Sequence, residues 1–241
     1  MTSTFLRAHW KHLALLNYEV DPALLEPLVP AGTELDAFDG RVLASMVGFQ
    51  FLRARVLGVA VPGHRDFEEV NLRFYVRREV AGELRRGVVF VREIVPRRAV
   101  AWLANALYHE HYVALPMRHA DALAAQREGE VAYEWFTGET WNRLAVRVAG
   151  EAFLPAADSH ESFVAEHYWG YTRRRDGSTA EYRVDHPRWL LRPVVESELH
   201  CDVARLYGAA FEPWLRAAPS SAFLAVGSDV SVHRGRRLAD V

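Results

Sequence analysis

Lysine is almost absent from this 241-residue chain: Lys11 is the only one among 29 lysines and arginines. Chemistry that runs through a side-chain amine therefore has one candidate, flanked by His9, Trp10 and His12. Cysteine is as scarce. With Cys201 alone, an intramolecular disulfide is impossible and a cysteine-built zinc centre is excluded. That usage suits a reducing compartment, so a cytoplasmic location is expected. Net charge is −2 with His neutral, which leaves no global field to draw in nucleic acid or an anionic membrane. No apolar run approaches the ~20 residues of a membrane-spanning helix, and the N-terminus lacks the basic-then-apolar order of a signal peptide. The sequence has no glycine-rich phosphate loop, G-x-S-x-G elbow, H-E-x-x-H or dinucleotide fingerprint. No cofactor, nucleic-acid partner or membrane partner is expected.

What is present is an ordinary globular composition, 50% hydrophobic and 25% charged. No repeat, low-complexity block or long linker interrupts it, so residues 1–241 read as a single domain with a loose tail from about 234. The segment 5–20 reads as a strand-like arm. Residues 21–30 read as a short helix, capped by Asp21, opened by Pro22 and stopped by Pro30. An Asp-Gly turn at 38–41 leads into two strands, 42–49 and 53–59. In "DFEEVNLRFYVRREV" the apolar residues fall largely on a two-residue period, which puts Glu69, Asn71, Arg73, Tyr75 and Arg77 on one face. Which of Glu68 and Glu69 points inward depends on register, because a slip of one residue reverses it. The partner strand 84–95 carries Val89, Val91 and Glu93 on one side and Val88, Phe90, Arg92 and Ile94 on the other. Apolar groups on both faces of both strands favour a curved sheet or barrel over a flat one. Residues 99–108, 158–167 and 201–208 read as helices, the last ended by Gly208. Strands are expected at 130–136, 140–148, 168–174, 179–184, 189–199 and 221–233. The result is an α+β, mainly β fold with a few short helices.

"EIVPRRAVAWLANALYHEHY", 93–112, carries an anomaly. Arg97 and Arg98 stand where a helix begins, the end at which its dipole disfavours cations. Arginines just after a strand can share an anion with exposed helix amides. Alternatively they form salt bridges with Glu93, Glu69 or Glu110, or lie in solvent. His109 and His111 would share a face on a strand and diverge on a helix. Without a third ligand His-x-His makes no metal site, and no metal is expected. In "EHYWGYT", 166–172, Tyr168, Trp169 and Tyr171 surround Gly170. Such density walls a pocket or fills a core, and a strand glycine marks a bulge or a close approach. "DHPRW", 185–189, is either a pocket rim or a corner turn.

The runs "NYEVDPALLEPLVPAGTELDAFDGR", "FEEVNLRFYV", "RRGVVFVREIVPR", "EHYWGYT" and "HPRW" together resemble the YqjF-like domains of unknown function. They span Asn17 to Trp189; the last fifty residues carry little of the likeness. That family is similar in fold to acetoacetate decarboxylase. The resemblance implies an acetoacetate-decarboxylase-like curved β-barrel around a central pocket, and self-association into a homo-oligomer. In the decarboxylase a Pro-Lys-Lys motif ends a strand. Its first lysine forms a Schiff base, and a neighbouring cation lowers its pKa. "EIVPRR" looks like the equivalent place, with Arg97 and Arg98 in place of the lysines. A guanidinium stays protonated and forms no imine.

The resemblance therefore implies a pocket for a small organic acid or carbonyl compound without imine chemistry. Glu69 and Arg97 are the candidate catalytic residues. Arg73, Glu93, Arg98, Tyr75 and Trp169 are the candidate ligand contacts. An enzyme of this kind would be a lyase or isomerase working by acid–base catalysis; the alternative is a non-catalytic binding or sensing module.

Overall fold

The computed structural model describes residues 4–108, 110–123 and 128–238. The strands, in chain order, are β1 (Thr4–Glu19), β2 (Glu34–Leu35), β3 (Ala37–Phe38), β4 (Arg41–Val56), β5 (Phe67–Val80), β6 (Glu83–Val95), β7 (Tyr112–Ala114) and β8 (Met117–Asp121). They continue with β9 (Gly129–Phe136), β10 (Trp141–Val148), β11 (Trp169–Arg173), β12 (Thr179–Asp185), β13 (Leu191–His200), β14 (Ser221–His233) and β15 (Arg236–Arg237). The α-helices are α1 (Pro22–Leu25), α2 (Arg98–Tyr108), α3 (His160–Ala165), α4 (Val203–Tyr207) and α5 (Glu212–Leu215). The fold is mainly β with short helices, as the alternation of the long strands predicts.

Strand order explains where a cavity forms. Neighbours run β12-β11-β6-β5-β4-β1-β14, and β14 pairs back onto β12 through Val184–Val232 and Asp185–Ser231. This path closes a ring. From β14 the sheet continues through β13, β10, β9 and β8 and covers the outer face of the ring. The two faces of β1 show the consequence. Ala14 and Leu16 join an outer core with Met46, Leu72, Tyr133, Trp135 and Val146. Leu13 and Leu15 join an inner cluster with Phe49, Phe51, Phe67 and Trp189. A strand buried on both sides needs a continuous apolar run rather than alternation, and "LALL" at 13–16 supplies it.

Local signals set the helix ends. Asp21 caps α1 by accepting from the Ala23 amide at 2.9 Å, and Ser159 caps α3 by accepting from the Ser162 amide at 3.2 Å. Gly208 ends α4 at φ +100°, a conformation that glycine tolerates best.

Three expectations are corrected. The two strands at 42–49 and 53–59 are one long strand, β4, with a left-handed residue at Arg53 (φ +56°) and the turn beginning at Leu57. The tail is tied down through Leu238: β15 pairs with β12, Arg236 holds the buried Glu181 at 2.7 Å, and Leu238 is itself buried. Beyond the helix α2 the chain forms two unexpected strands, β7 and β8; β7 runs parallel to β6. Among the described residues no helix is long and apolar enough to cross a membrane.

A candidate acid–base site inside the sheet ring

The inner face of β5 presents Phe67, Glu69, Asn71 and Arg73 in strict alternation, and all four line a cavity of about 260 Å³. Register with β4 selects Glu69 over its neighbour. Glu69 pairs with Phe49 and is buried, whereas Glu68 turns to the opposite face and meets His119 at 2.6 Å. Strand β6 reaches the cavity differently. Its register with β5 shifts between Leu72 and Arg73, so Phe90 pairs with Arg73 while Glu93 pairs with Asn71. One extra residue on β6 lets Phe90 and Glu93, three apart, both face inward. Uninterrupted alternation puts them on opposite faces, so the bulge is what brings Glu93 to Glu69.

The third acid, Glu110, was missed as a site residue. It lies two positions beyond the end of α2, and Tyr112 then enters β7 beside Glu93. Asn105 locks this corner by accepting from the Tyr112 amide at 2.8 Å and donating to its carbonyl at 2.9 Å. Nothing in the "YHEHY" spacing marks the glutamate between the histidines. Its position depends on where α2 stops. His111 is exposed and lies outside this cavity, and His109 lies outside the described residues. Among the described residues, no group of three His, Cys, Asp or Glu side chains is arranged to hold a metal ion.

Hydrogen bonds fix the carboxyls. Glu69 accepts from the Asn71 amide at 2.9 Å and from the Tyr112 hydroxyl at 3.1 Å. Glu110 accepts from Thr172 and, at 3.0 Å, from the Tyr182 hydroxyl. One oxygen of Glu93 has no partner; neither do Arg73 Nε, Asn71 Oδ1 or either ring nitrogen of His167. These unpaired buried atoms all belong to cavity-lining residues. Buried polar groups normally find partners; these leave hydrogen-bonding capacity on the cavity wall.

Burial governs the protonation of the site. It raises Glu69 to about 7 against the pull of its two donors and Arg73. Burial also raises Glu110 to about 7, against the hydrogen bonds from Thr172 and Tyr182 and with a further push from the charge of Glu69. Glu93 is pushed well above the usual carboxylate range by burial, then by the charges of Glu110 and Glu69. Burial thus favours the protonated, hydrogen-bond-donating form of Glu93, while Glu69, raised to about 7, is poised to exchange a proton. His167 is held far below its ordinary value by burial and by Arg73, so it is a neutral imidazole.

This carries a stability prediction. Glu69 and Glu110 titrate near 7 in the fold and near 4.5 when unfolded. Between those values the folded state holds more protons than the unfolded one, so their contribution to stability falls as pH rises from about 4.5 through 7. Urea unfolding at pH 5 and pH 8 should show a loss at the higher pH that the Glu69→Gln/Glu110→Gln double variant lessens. An unchanged difference would contradict the elevated values.

The expected site residues divide. Glu69, Arg73, Glu93 and Trp169 come together on the cavity wall. Arg97 and Arg98 do not: both are exposed, neither lines this cavity, and the hydrogen bonds of Glu69 and Glu110 go to other residues. Strand β6 ends at Val95, and the cavity face of α2 is carried by Val100, Leu103 and Ala104. The first turn of the helix thus projects its arginines outward, where solvent screens them from the dipole. Tyr75 shares the β5 inner face but is covered by α3 and the residue run after it. His167 and Phe163 pack on its ring at 4.5 and 5.2 Å, and its hydroxyl meets Ser45 at 2.6 Å. It supports the site from behind. His186 and Trp189 put "DHPRW" on the cavity wall, with His186 stacked on Trp189 at 4.0 Å, and His167 joins them there without a mark in the sequence. Lys11 donates to Asp121 at 2.7 Å and is not a wall residue.

The model of the DUF2071 family, described as "Uncharacterized conserved protein (COG2071)", matches residues 7–229. The chain belongs to this family. It is 31% identical over 193 residues to the uncharacterized protein YqjF of Bacillus subtilis (strain 168), covering 78% of this chain and 75% of that one. Among solved structures, this DUF2071 chain is similar to the acetoacetate decarboxylase of Legionella pneumophila, with a TM-score of 0.66 at 13% identity over 98% of this chain and 88% of that one. It is similar to the enduracididine biosynthesis enzyme MppR complexed with pyruvate, with a TM-score of 0.68 at 13% identity over 100% and 93% of the two chains. An acetoacetate decarboxylase-like enzyme from Sphingomonas wittichii RW1 gives 0.67 at 15% identity over 98% and 94%. These likenesses establish an acetoacetate-decarboxylase-like fold for the DUF2071 chain.

Proposed function

We propose that this family member binds a small carbonyl compound or organic acid in the ring cavity and moves a proton next to its carbonyl group, as a lyase or isomerase without imine chemistry. The observation that carries the reading is that two buried acids from adjacent strands, Glu69 and Glu93, face one cavity together with Arg73, where burial raises both carboxyls above their usual range. A poised base beside a neutral acid is the arrangement that enolisation needs. In this mechanism the carbonyl oxygen accepts from the Glu93 carboxylic acid and from Arg73. Glu69 takes the proton from the α-carbon. The negative charge that develops on oxygen is held by donors already in place. Arg73 keeps its planar fork oriented by donating Nη2 to the Val164 carbonyl at 3.1 Å, which leaves Nε free for the ligand. Three buried acids against one guanidinium favour a neutral carbonyl over a free carboxylate.

Imine formation lacks a nucleophile here. The single lysine is ion-paired outside the cavity, and guanidinium is not a substitute. Borohydride treatment with acetoacetate or pyruvate should leave the protein mass unchanged. A reduced adduct on Lys11 would overturn this part of the reading. The decisive experiment is solvent exchange: in D₂O, the protein should speed loss of the α-proton signals of 2-butanone or 2-oxobutanoate. Binding without any exchange is the result that the alternative, a non-catalytic sensing module, requires.

A further inference from the structure

The acids occupy only part of the cavity. The rest of its wall is an aromatic belt whose position follows from strand register. Trp10 of β1 pairs with Phe51 of β4, and Phe51 pairs with Phe67 of β5, so three rings lie side by side across three strands. Phe51 and Phe67 stack at 4.7 Å, and Trp10 contacts Phe51 at 5.7 Å and Trp189 at 6.0 Å. On β5 the belt is two residues from Glu69, the spacing of adjacent side chains on one strand face. Beyond the belt lies the rim, made by the β4–β5 connection and α2. Val61 on that rim is 44% exposed, and Leu57 and Val59 of the same connection and Trp102 of α2 are 55%, 64% and 71% exposed. Polarity is therefore graded along β5, from Arg73, Asn71 and Glu69 to Phe67 and then to a rim where Val56 and Val61 line the cavity beside His64.

Volume points the same way. At roughly 30 Å³ for each water-sized group, a cavity of about 260 Å³ holds about nine non-hydrogen atoms, a few more than the six or seven of a three- or four-carbon keto acid. Such a ligand would engage the acids and leave the belt uncovered, whereas small-molecule sites normally enclose most of their ligand.

We propose that the ligand carries an apolar chain or ring on its carbonyl group, with the carbonyl held at Glu69, Glu93 and Arg73 and the apolar part lying along Trp10, Phe51 and Phe67 toward the rim at Val61. This rests on the acid–base reading for its polar end and adds the substrate class. The belt is a specificity surface: it selects by apolar contact, which is graded, while the acids select by hydrogen bonding, which is close to all-or-none.

The test is a homologous series, 2-butanone, 2-pentanone, 2-hexanone and 2-octanone, titrated against the full-length protein by calorimetry and by the fluorescence of the wall tryptophans. Affinity should rise about fourfold for each added methylene until the belt is covered. Val61→Asp, a change at an exposed position, should compress the ratio of 2-octanone to 2-butanone affinity by about tenfold. A flat series, or a ratio that Val61→Asp leaves intact, overturns the proposal. α-Proton exchange measured on the same ketones separates the two ideas. Exchange with flat affinities sinks the apolar chain and keeps the acid–base site. Rising affinities without exchange keep the chain and sink the catalytic reading. No binding by any member overturns both.

Discussion

Glu69→Gln should reduce protein-catalysed α-proton exchange on 2-butanone by about 10²- to 10⁴-fold, the usual contribution of a positioned general base. Glutamine keeps the length and planar head of glutamate. Its carbonyl oxygen still accepts from Asn71, which lies 2.9 Å from Glu69 Oε1, so the wall should keep its shape. What is lost is proton affinity. The wild-type rate should climb with pH through about 7 as Glu69 ionises, and the variant should show no such limb. Tyr112 offers a check that a purely structural role would not pass. Its hydroxyl donates to Glu69 and holds the carboxyl pKa down, so Tyr112→Phe should move the ascending limb to higher pH and retain exchange. The measurement is proton NMR in D₂O across pH 5 to 9. A Glu69→Gln protein with the wild-type rate and profile would remove Glu69 from the mechanism.

The reach and the limits of sequence reasoning here have physical causes. Alternation along β5 puts Glu69, Asn71 and Arg73 on one face, and register with β4 turns that face inward together with Phe67, because a strand covered on both sides must keep its phase. The same logic misplaces Glu93 relative to Phe90, since a one-residue bulge costs little locally and leaves no compositional mark. Tyr75 obeys the alternation and still misses the cavity, because α3 covers that end of the ring. That is a tertiary fact with no local signature. The outward placement of the arginine pair has a related cause. Chain position at the end of β6 fixes where Arg97 and Arg98 lie along the ring, but the exit direction of α2 decides whether they face in or out. Glu110 and His167 enter the site by the way loops close over the ring. Spacing cannot encode that. The resemblance to acetoacetate decarboxylase conveyed the ring and its cavity, and strand alternation conveyed Glu69 and Arg73, while Glu110 and His167 depend on tertiary closure.

Gly170→Ala should cost about 3 kcal/mol of unfolding free energy, from overpacking together with a disturbed hydrogen bond. Gly170 of β11 pairs directly with Tyr182 of β12, and the tyrosine ring lies over the glycine. A Cβ at 170 would fall 2.1 Å from the ring carbon that bears the hydroxyl. The ring has little freedom to retreat. It is buried, packs edge-on against Tyr108 at 5.2 Å, and donates to Glu110 at 3.0 Å. Moving it strips Glu110 of a donor that holds its pKa down, so the substitution should also raise the pKa of that acid further. Tyr182→Phe provides the comparison: it removes the donor, keeps the ring over Gly170, and should cost about 1 kcal/mol. Urea unfolding of the two variants and the parent at pH 6 separates packing from hydrogen bonding. A Gly170→Ala protein within 0.5 kcal/mol of the parent, roughly the scale of a neutral surface change, would mean that β12 shifts freely. The Tyr182–Glu110 contact would then not be fixed by the sheet. The glycine in "YWGYT" is therefore where the closure of the ring and the protonation of its cavity depend on the same contact.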